Sequence, residues 1–73
     1  MKETYIYGFR VKYEDNAKDG VNYLFSDLDR DEARVFFDQA KARKSAKFED
    51  DEDRQFTLSY DGDGSYSLMR RTY

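Results

Sequence analysis

The side chains of this chain best suited to chemistry are carboxylates, and most of them fall into two dense groups. Asp and Glu total 16 against 13 Lys and Arg in 73 residues, for a net charge of −3. The two groups are Asp27, Asp29 and Asp31, and the unbroken run Glu49, Asp50, Asp51, Glu52 and Asp53. A dense row of carboxylates can imitate a phosphate backbone and occupy a basic groove. Both groups are therefore predicted to bind a basic protein surface.

The alternative for these acids is solvation without a partner. Charge runs usually form solvated loops, and acids at the start of a helix complement its dipole. Four bases directly precede the second group, namely Lys41, Arg43, Lys44 and Lys47. We expect these bases and the acidic run to neutralise each other locally.

Other reactive chemistry is largely excluded by composition. The chain has no Cys and no His, which rules out disulfides, thiolate zinc sites and catalysis by either side chain. Asp61-Gly62-Asp63-Gly64 lacks the twelve-residue ligand pattern of a calcium loop, and it predicts a tight turn. We expect the carboxylates to lie on the surface, and a chain of this size has little room for a pocket. We therefore expect that the protein is not an enzyme and uses no metal or cofactor.

Four segments that could position these acids alternate with the period of a β-strand. They are residues 4–13, 21–26, 54–60 and 65–73. One Asp-Gly dipeptide lies between the first two segments, and two more lie between the last two. Asp-Gly suits the positive φ of tight turns. In the first strand the alternation places Tyr5, Phe9 and Val11 on the face toward a core. Two β-hairpins are predicted.

Between the hairpins the period changes to that of a helix at about residues 30–45. Asp29 and Glu32 have the spacing of a capping box. The apolar stripe is Ala33, Phe36, Phe37 and Ala40. The order is therefore ββαββ. It predicts an α+β protein, one domain over residues 1–73, whose four-stranded, mainly antiparallel sheet has one helix packed on one face.

The sheet face away from the helix is a second candidate surface. Arg10, Lys12, Arg71 and Tyr73 are expected there, and bases with aromatic rings can bind single-stranded nucleic acid. Most rings occupy the opposite phase, so a solvated face is the simpler expectation. Ile6, Leu24 and Met69 also fall on this face and could form a small apolar patch.

These observations favour a small acidic protein-binding module, an inhibitor or adaptor that docks onto the basic groove of a nucleic-acid-handling protein. Phage proteins that block host defence, including anti-CRISPR proteins, are an analogy at the level of class. The alternatives are a nucleic-acid binder using the basic sheet face, or a structural homodimer hiding Tyr5, Tyr7, Ile6 and Leu24. No signal peptide and no membrane span are visible, so a cytoplasmic location is expected.

Overall fold

A five-stranded mixed sheet with helices against one face forms the fold. The computed structural model describes residues 2–71. The strands are β1 (Lys2–Ile6), β2 (Phe9–Tyr13), β3 (Ser45–Glu49), β4 (Gln55–Tyr60) and β5 (Ser65–Arg71). A 3-10 turn (Asp15–Ala17), α1 (Lys18–Asn22) and a π-helical turn (Tyr23–Asp27) precede α2 (Arg30–Arg43). The strands lie in the order β1-β2-β5-β4-β3 across the sheet, and among these neighbours only β2 and β5 are parallel. The α+β class is confirmed, whereas four antiparallel strands with one helix is wrong in detail.

The first predicted strand is two strands joined by a two-residue turn. Tyr7 and Gly8 have φ of 51° and 88°, the pair of positive values that defines a type I′ hairpin turn. The alternation runs through the turn, so the sequence pattern hides it. One consequence is a reversal of phase in β1, where Ile6 is fully buried and Tyr5 is 62% exposed. The predicted core-facing position of Tyr5 is therefore wrong, while Phe9 and Val11 face the core as expected.

The predicted strand at 21–26 is helical, and so is much of the segment before it. Ala17, Val21 and Leu24 are buried, and their spacings of four and three are those of a helix. Gly20 lies inside α1 instead of ending a turn. A Cβ at Gly20 would stand 2.8 Å from Cδ1 of Phe56, so the helix crosses this ring at a distance that only glycine permits.

Helix α2 begins as predicted and ends two residues early. Asp29 accepts a hydrogen bond from the backbone N–H of Glu32 at 2.8 Å, and the Glu32 side chain accepts one from the N–H of Asp29 at 3.1 Å. This capping box satisfies two backbone donors that the helix cannot pair. Lys44, at φ 75°, reverses the chain directly into β3, a strand that the sequence pattern did not predict.

The core is built mainly from stacked rings on one face of the sheet. The Phe9 and Phe37 ring centroids lie 4.3 Å apart and those of Phe37 and Tyr66 4.9 Å apart, which fastens α2 to β2 and β5. Phe48 and Phe56 stack at 5.4 Å between β3 and β4. Offset and edge-on ring pairs stabilise beyond the area they bury, which suits a chain with no covalent crosslink.

Candidate functional site

The reversal at Lys44 brings the two acidic groups to the same end of the molecule. A helix of 14 residues is ~21 Å long, and β3 returns along it. The Phe36 and Phe48 rings lie 5.3 Å apart across this antiparallel packing. Tyr23 stacks on the other side of Phe48 at 5.8 Å. The loop after β3 therefore ends beside the start of α2.

The half-buried Tyr23 lies where the two acidic groups meet. Its pKa is raised, first by burial and then by the negative charges of Asp51, Asp27, Glu32 and Asp50. These acids come from both groups, although more than twenty residues separate Asp27 from Asp50 in sequence. We call the exposed carboxylates at this end the acidic pole: Asp27, Asp29, Asp31, Glu32, Asp51, Glu52 and Asp53.

Asp50 does not belong to that exposed set. Its side chain is 3% exposed and accepts a 2.6 Å ionic hydrogen bond from Nε of Arg54. It also accepts from the backbone N–H groups of Glu52 and Arg54, at 3.0 and 2.9 Å. Burial alone would raise the pKa of Asp50, but these hydrogen bonds outweigh it and the pKa is lowered. The expectation that the entire run is exposed is wrong here, because Asp50 holds the β3–β4 loop in shape.

Arg54 contributes to this region although it was not among the predicted site residues. Besides Asp50, its Nη1 lies 3.1 Å from a carboxylate oxygen of Asp19 and 3.6 Å from one of Glu52. These contacts anchor the loop to α1. The signal available in the sequence was an arginine directly after five acids, where one cation relieves the repulsion among them.

Glu49 is also set apart from the acidic pole. It is exposed, and it lies on the face of β3 opposite to Phe48. Its carboxylate accepts a 3.3 Å hydrogen bond from the Gln55 side chain on the neighbouring strand. Of the predicted acids, Asp27, Asp29, Asp31, Asp51, Glu52 and Asp53 are thus exposed at this end, Asp50 is buried beside them, and Glu49 lies on the outer face of the sheet.

Local neutralisation of the acidic run by the preceding bases is wrong. Lys41, Arg43 and Lys44 lie at the end of α2, and the length of β3 separates them from the loop at 50–53. Lys47 points to the outer face of the sheet. Within residues 2–71, the ion pairs of the acidic run are made with Arg54 and with none of these four bases. Acids therefore predominate in the first turn of α2, where Arg30 also lies, and bases predominate in its last turn.

The outer sheet face, the second candidate surface, carries balanced charge. Arg10, Lys12 and Arg71 lie on it as predicted, while Tyr73 falls outside the described residues. Within the described strands and turns, four bases are matched by four acids: Arg10, Lys12, Lys47 and Arg71 against Glu3, Glu49, Asp61 and Asp63.

Specific contacts hold several of these charges in pairs. Nη2 of Arg10 lies 3.1 Å from a Glu3 carboxylate oxygen. The pKa of Asp63 is lowered, mainly by hydrogen bonds from Ser65 and in part by the charge of Lys12. The predicted apolar patch is reduced to Met69, which is 49% exposed, because Ile6 and Leu24 are fully buried.

The Asp-Gly repeat at 61–64 forms the predicted hairpin turn between β4 and β5. Gly62 and Gly64 have φ of 86° and 89°. Asp61 and Asp63 accept hydrogen bonds from serine hydroxyls of β5. In the described part of the chain, no group of three or more acids is arranged to hold a metal ion. Within residues 2–71, no helix is both long and apolar enough to span a membrane.

No protein-family model, curated protein or solved structure matches this chain.

Proposed function

We propose that this chain is a small, non-enzymatic binding module that docks its acidic pole onto a basic groove of a nucleic-acid-handling protein. It would act as an inhibitor or adaptor, as phage anti-defence proteins such as anti-CRISPR proteins do by analogy of class. The observation that supports this most is the stacking of Tyr23 on Phe48 of β3 at 5.8 Å, which brings the segment of Asp27 next to the acidic run after β3. Carboxylates gathered on one surface present a directed negative field, which steers association and selects a basic partner.

The distribution of the bases strengthens the proposal. Arg54 pairs with Asp19, Asp50 and Glu52. Within residues 2–71, no ion pair joins Asp27, Asp31, Asp51 or Asp53 to a base. The net charge of −3 thus understates the local field. Nucleic-acid binding by the outer sheet face is less favoured, because its balanced charge lacks the basic excess that such binding requires.

The test compares two variants with the same net charge. Asp27→Asn, Asp51→Asn and Asp53→Asn together neutralise the acidic pole. Glu14→Gln, Asp15→Asn and Asp38→Asn neutralise three exposed acids elsewhere. Each triple variant changes the net charge from −3 to 0.

Each protein is immobilised and used to capture proteins from a bacterial lysate, and the captured proteins are eluted with an excess of a DNA or RNA duplex. We expect the wild type and the second variant to retain a nucleic-acid-binding protein that the duplex displaces. The first variant should lose it. Association with that protein should slow steeply as salt rises from ~0.01 M to ~0.15 M, because the Debye length falls from ~30 Å to ~8 Å. Equal capture by both triple variants would contradict the proposal.

A further inference from the structure

The two edges of the sheet differ in how well they are protected. Strands β1 and β3 are the outermost strands. β3 carries the exposed Lys47 at its centre, a common device against edge-to-edge pairing. β1 has its charges only at Lys2 and Glu3, and residues 4–6 are uncharged. It also pairs residue for residue with β2, without a bulge. β1 is therefore the edge open to another strand.

The hairpin geometry determines which backbone groups β1 offers. In a two-residue hairpin the residues next to the turn, Ile6 and Phe9, form a hydrogen-bonded pair, and the pattern then alternates. With the observed register, Thr4 is the next residue bonded to β2. The N–H and C=O groups of Glu3 and Tyr5 consequently point away from the sheet, toward an incoming strand.

Exposed rings flank this edge on both faces. A groove of about 290 Å³ lies between β1 and the helical segment, and it is lined in part by Ile6, Val21 and Phe25. Phe25 is 54% exposed on this side, and Tyr5 is 62% exposed on the outer face. A strand added at β1 would cover both rings while completing the backbone hydrogen bonds.

We propose that the strand added at β1 is β1 of a second copy, related by a two-fold axis at Thr4. The antiparallel register that uses the free backbone groups then places Glu3 opposite Tyr5 of the second copy. In the second copy, Arg10 of β2 pairs with that Tyr5. Glu3 of the first copy therefore lies two strand spacings, ~10 Å, from the opposite charge of this Arg10. Lys2 falls opposite Ile6, and no like charges face each other.

The neighbouring registers are worse, which makes this pairing specific. A shift of two residues in one direction sets Glu3 against Glu3, and like charges directly opposite are destabilising. A shift in the other direction sets Glu3 against the turn residue Tyr7. Covering the exposed parts of Tyr5 and Phe25 hides ~200 Å² per copy, to which the strand backbone adds area. The rings of the two copies thus supply ~400 Å², less than half of the ~1,000 Å² that a stable interface needs. The dimer should therefore dissociate on dilution.

Sedimentation equilibrium over a dilution series tests the proposal. The mass should rise from 8.7 kDa to twice that value as concentration increases. Glu3→Pro removes an outward N–H without removing a bond to β2, and Tyr5→Lys adds an edge charge. Both variants should stay monomeric while keeping the wild-type circular dichroism. Val35→Lys is the matched control, because Val35 is 61% exposed on α2, and it should dimerise like the wild type.

Hydrogen exchange gives a residue-level signature. The amides of Glu3 and Tyr5 should become protected as concentration rises, whereas those of Thr4 and Ile6 are protected throughout. The dimer should persist at ~1 M salt, where the Debye length is ~3 Å. A constant mass of 8.7 kDa, a dimer unchanged in both β1 variants, or a dimer that salt dissolves as a contact between acidic and basic ends would overturn the proposal. The acidic pole plays no part in this contact, so the two proposals fail independently.

Discussion

Replacing Gly20 by alanine is expected to destabilise the protein, although the same change in an exposed helix stabilises. A Cβ at this position would lie 2.8 Å from Cδ1 and 3.0 Å from Cε1 and Cγ of the Phe56 ring. Phe56 is fully buried and stacks on Phe48 at 5.4 Å, so the ring has little room to retreat. Overpacking of this kind costs ~1–3 kcal/mol.

The higher helix propensity of alanine offsets part of this cost. Alanine is favoured over glycine in a helix interior by ~1 kcal/mol, which leaves a net loss of about 0–2 kcal/mol, centred near 1. In a domain of this size, each kcal/mol of lost stability lowers Tm by ~4–8 °C. The assay is urea unfolding followed by circular dichroism, with the m-value expected to stay constant.

Two further variants measure separately the cost of overpacking and the gain in helix propensity. Ala42→Gly, at an exposed site on α2, measures helix propensity in this chain and should cost ~1 kcal/mol. Phe56→Leu removes the ring edge, so adding Gly20→Ala in that background should cost less than in the wild type, or stabilise. A Gly20→Ala protein that is ~1 kcal/mol more stable than the wild type would refute the close crossing of α1 over Phe56.

Three other substitutions test contacts in separate regions. Tyr7→Phe removes a hydroxyl that donates to the carbonyls of Phe25 and Leu28, each at 2.9 Å; it should cost ~1–2 kcal/mol in urea unfolding, and an unchanged midpoint would contradict this bond. Asp29→Ala removes the α2 cap and should cost ~1 kcal/mol, with Asp29→Asn close to the wild type; equal losses in both would exclude the capping role. Asp50→Asn should destabilise at pH 7, and because the pKa of Asp50 is lowered in the folded state, the gap to the wild type should close as pH falls below ~4. A stability difference between the two proteins that widens in acid would contradict the lowered pKa of Asp50.

The features that could be predicted from the sequence depend on contacts between near neighbours in the chain. The start of α2 follows from Asp29 and Glu32, three residues apart, which bond each other's backbone. The β4–β5 turn follows from Asp-Gly pairs that tolerate positive φ. The core faces of β2, β4 and β5 follow from alternation within each strand. For the candidate site, the acid-rich segments were evident, but their meeting point was not.

Tertiary packing decided the remainder, because several segments suit two structures locally. Val21 alternates with Tyr23 as in a strand, yet it also has helical spacing to Leu24, and burial of Val21 and Leu24 selected the helix. The strand β3 exists because the edge of β4 accepts it. That strand carries the second acidic segment back to the first, and it places Arg54 within reach to bury Asp50. Composition thus determined how much negative charge the chain carries, whereas the reversal at Lys44 decided where that charge is concentrated.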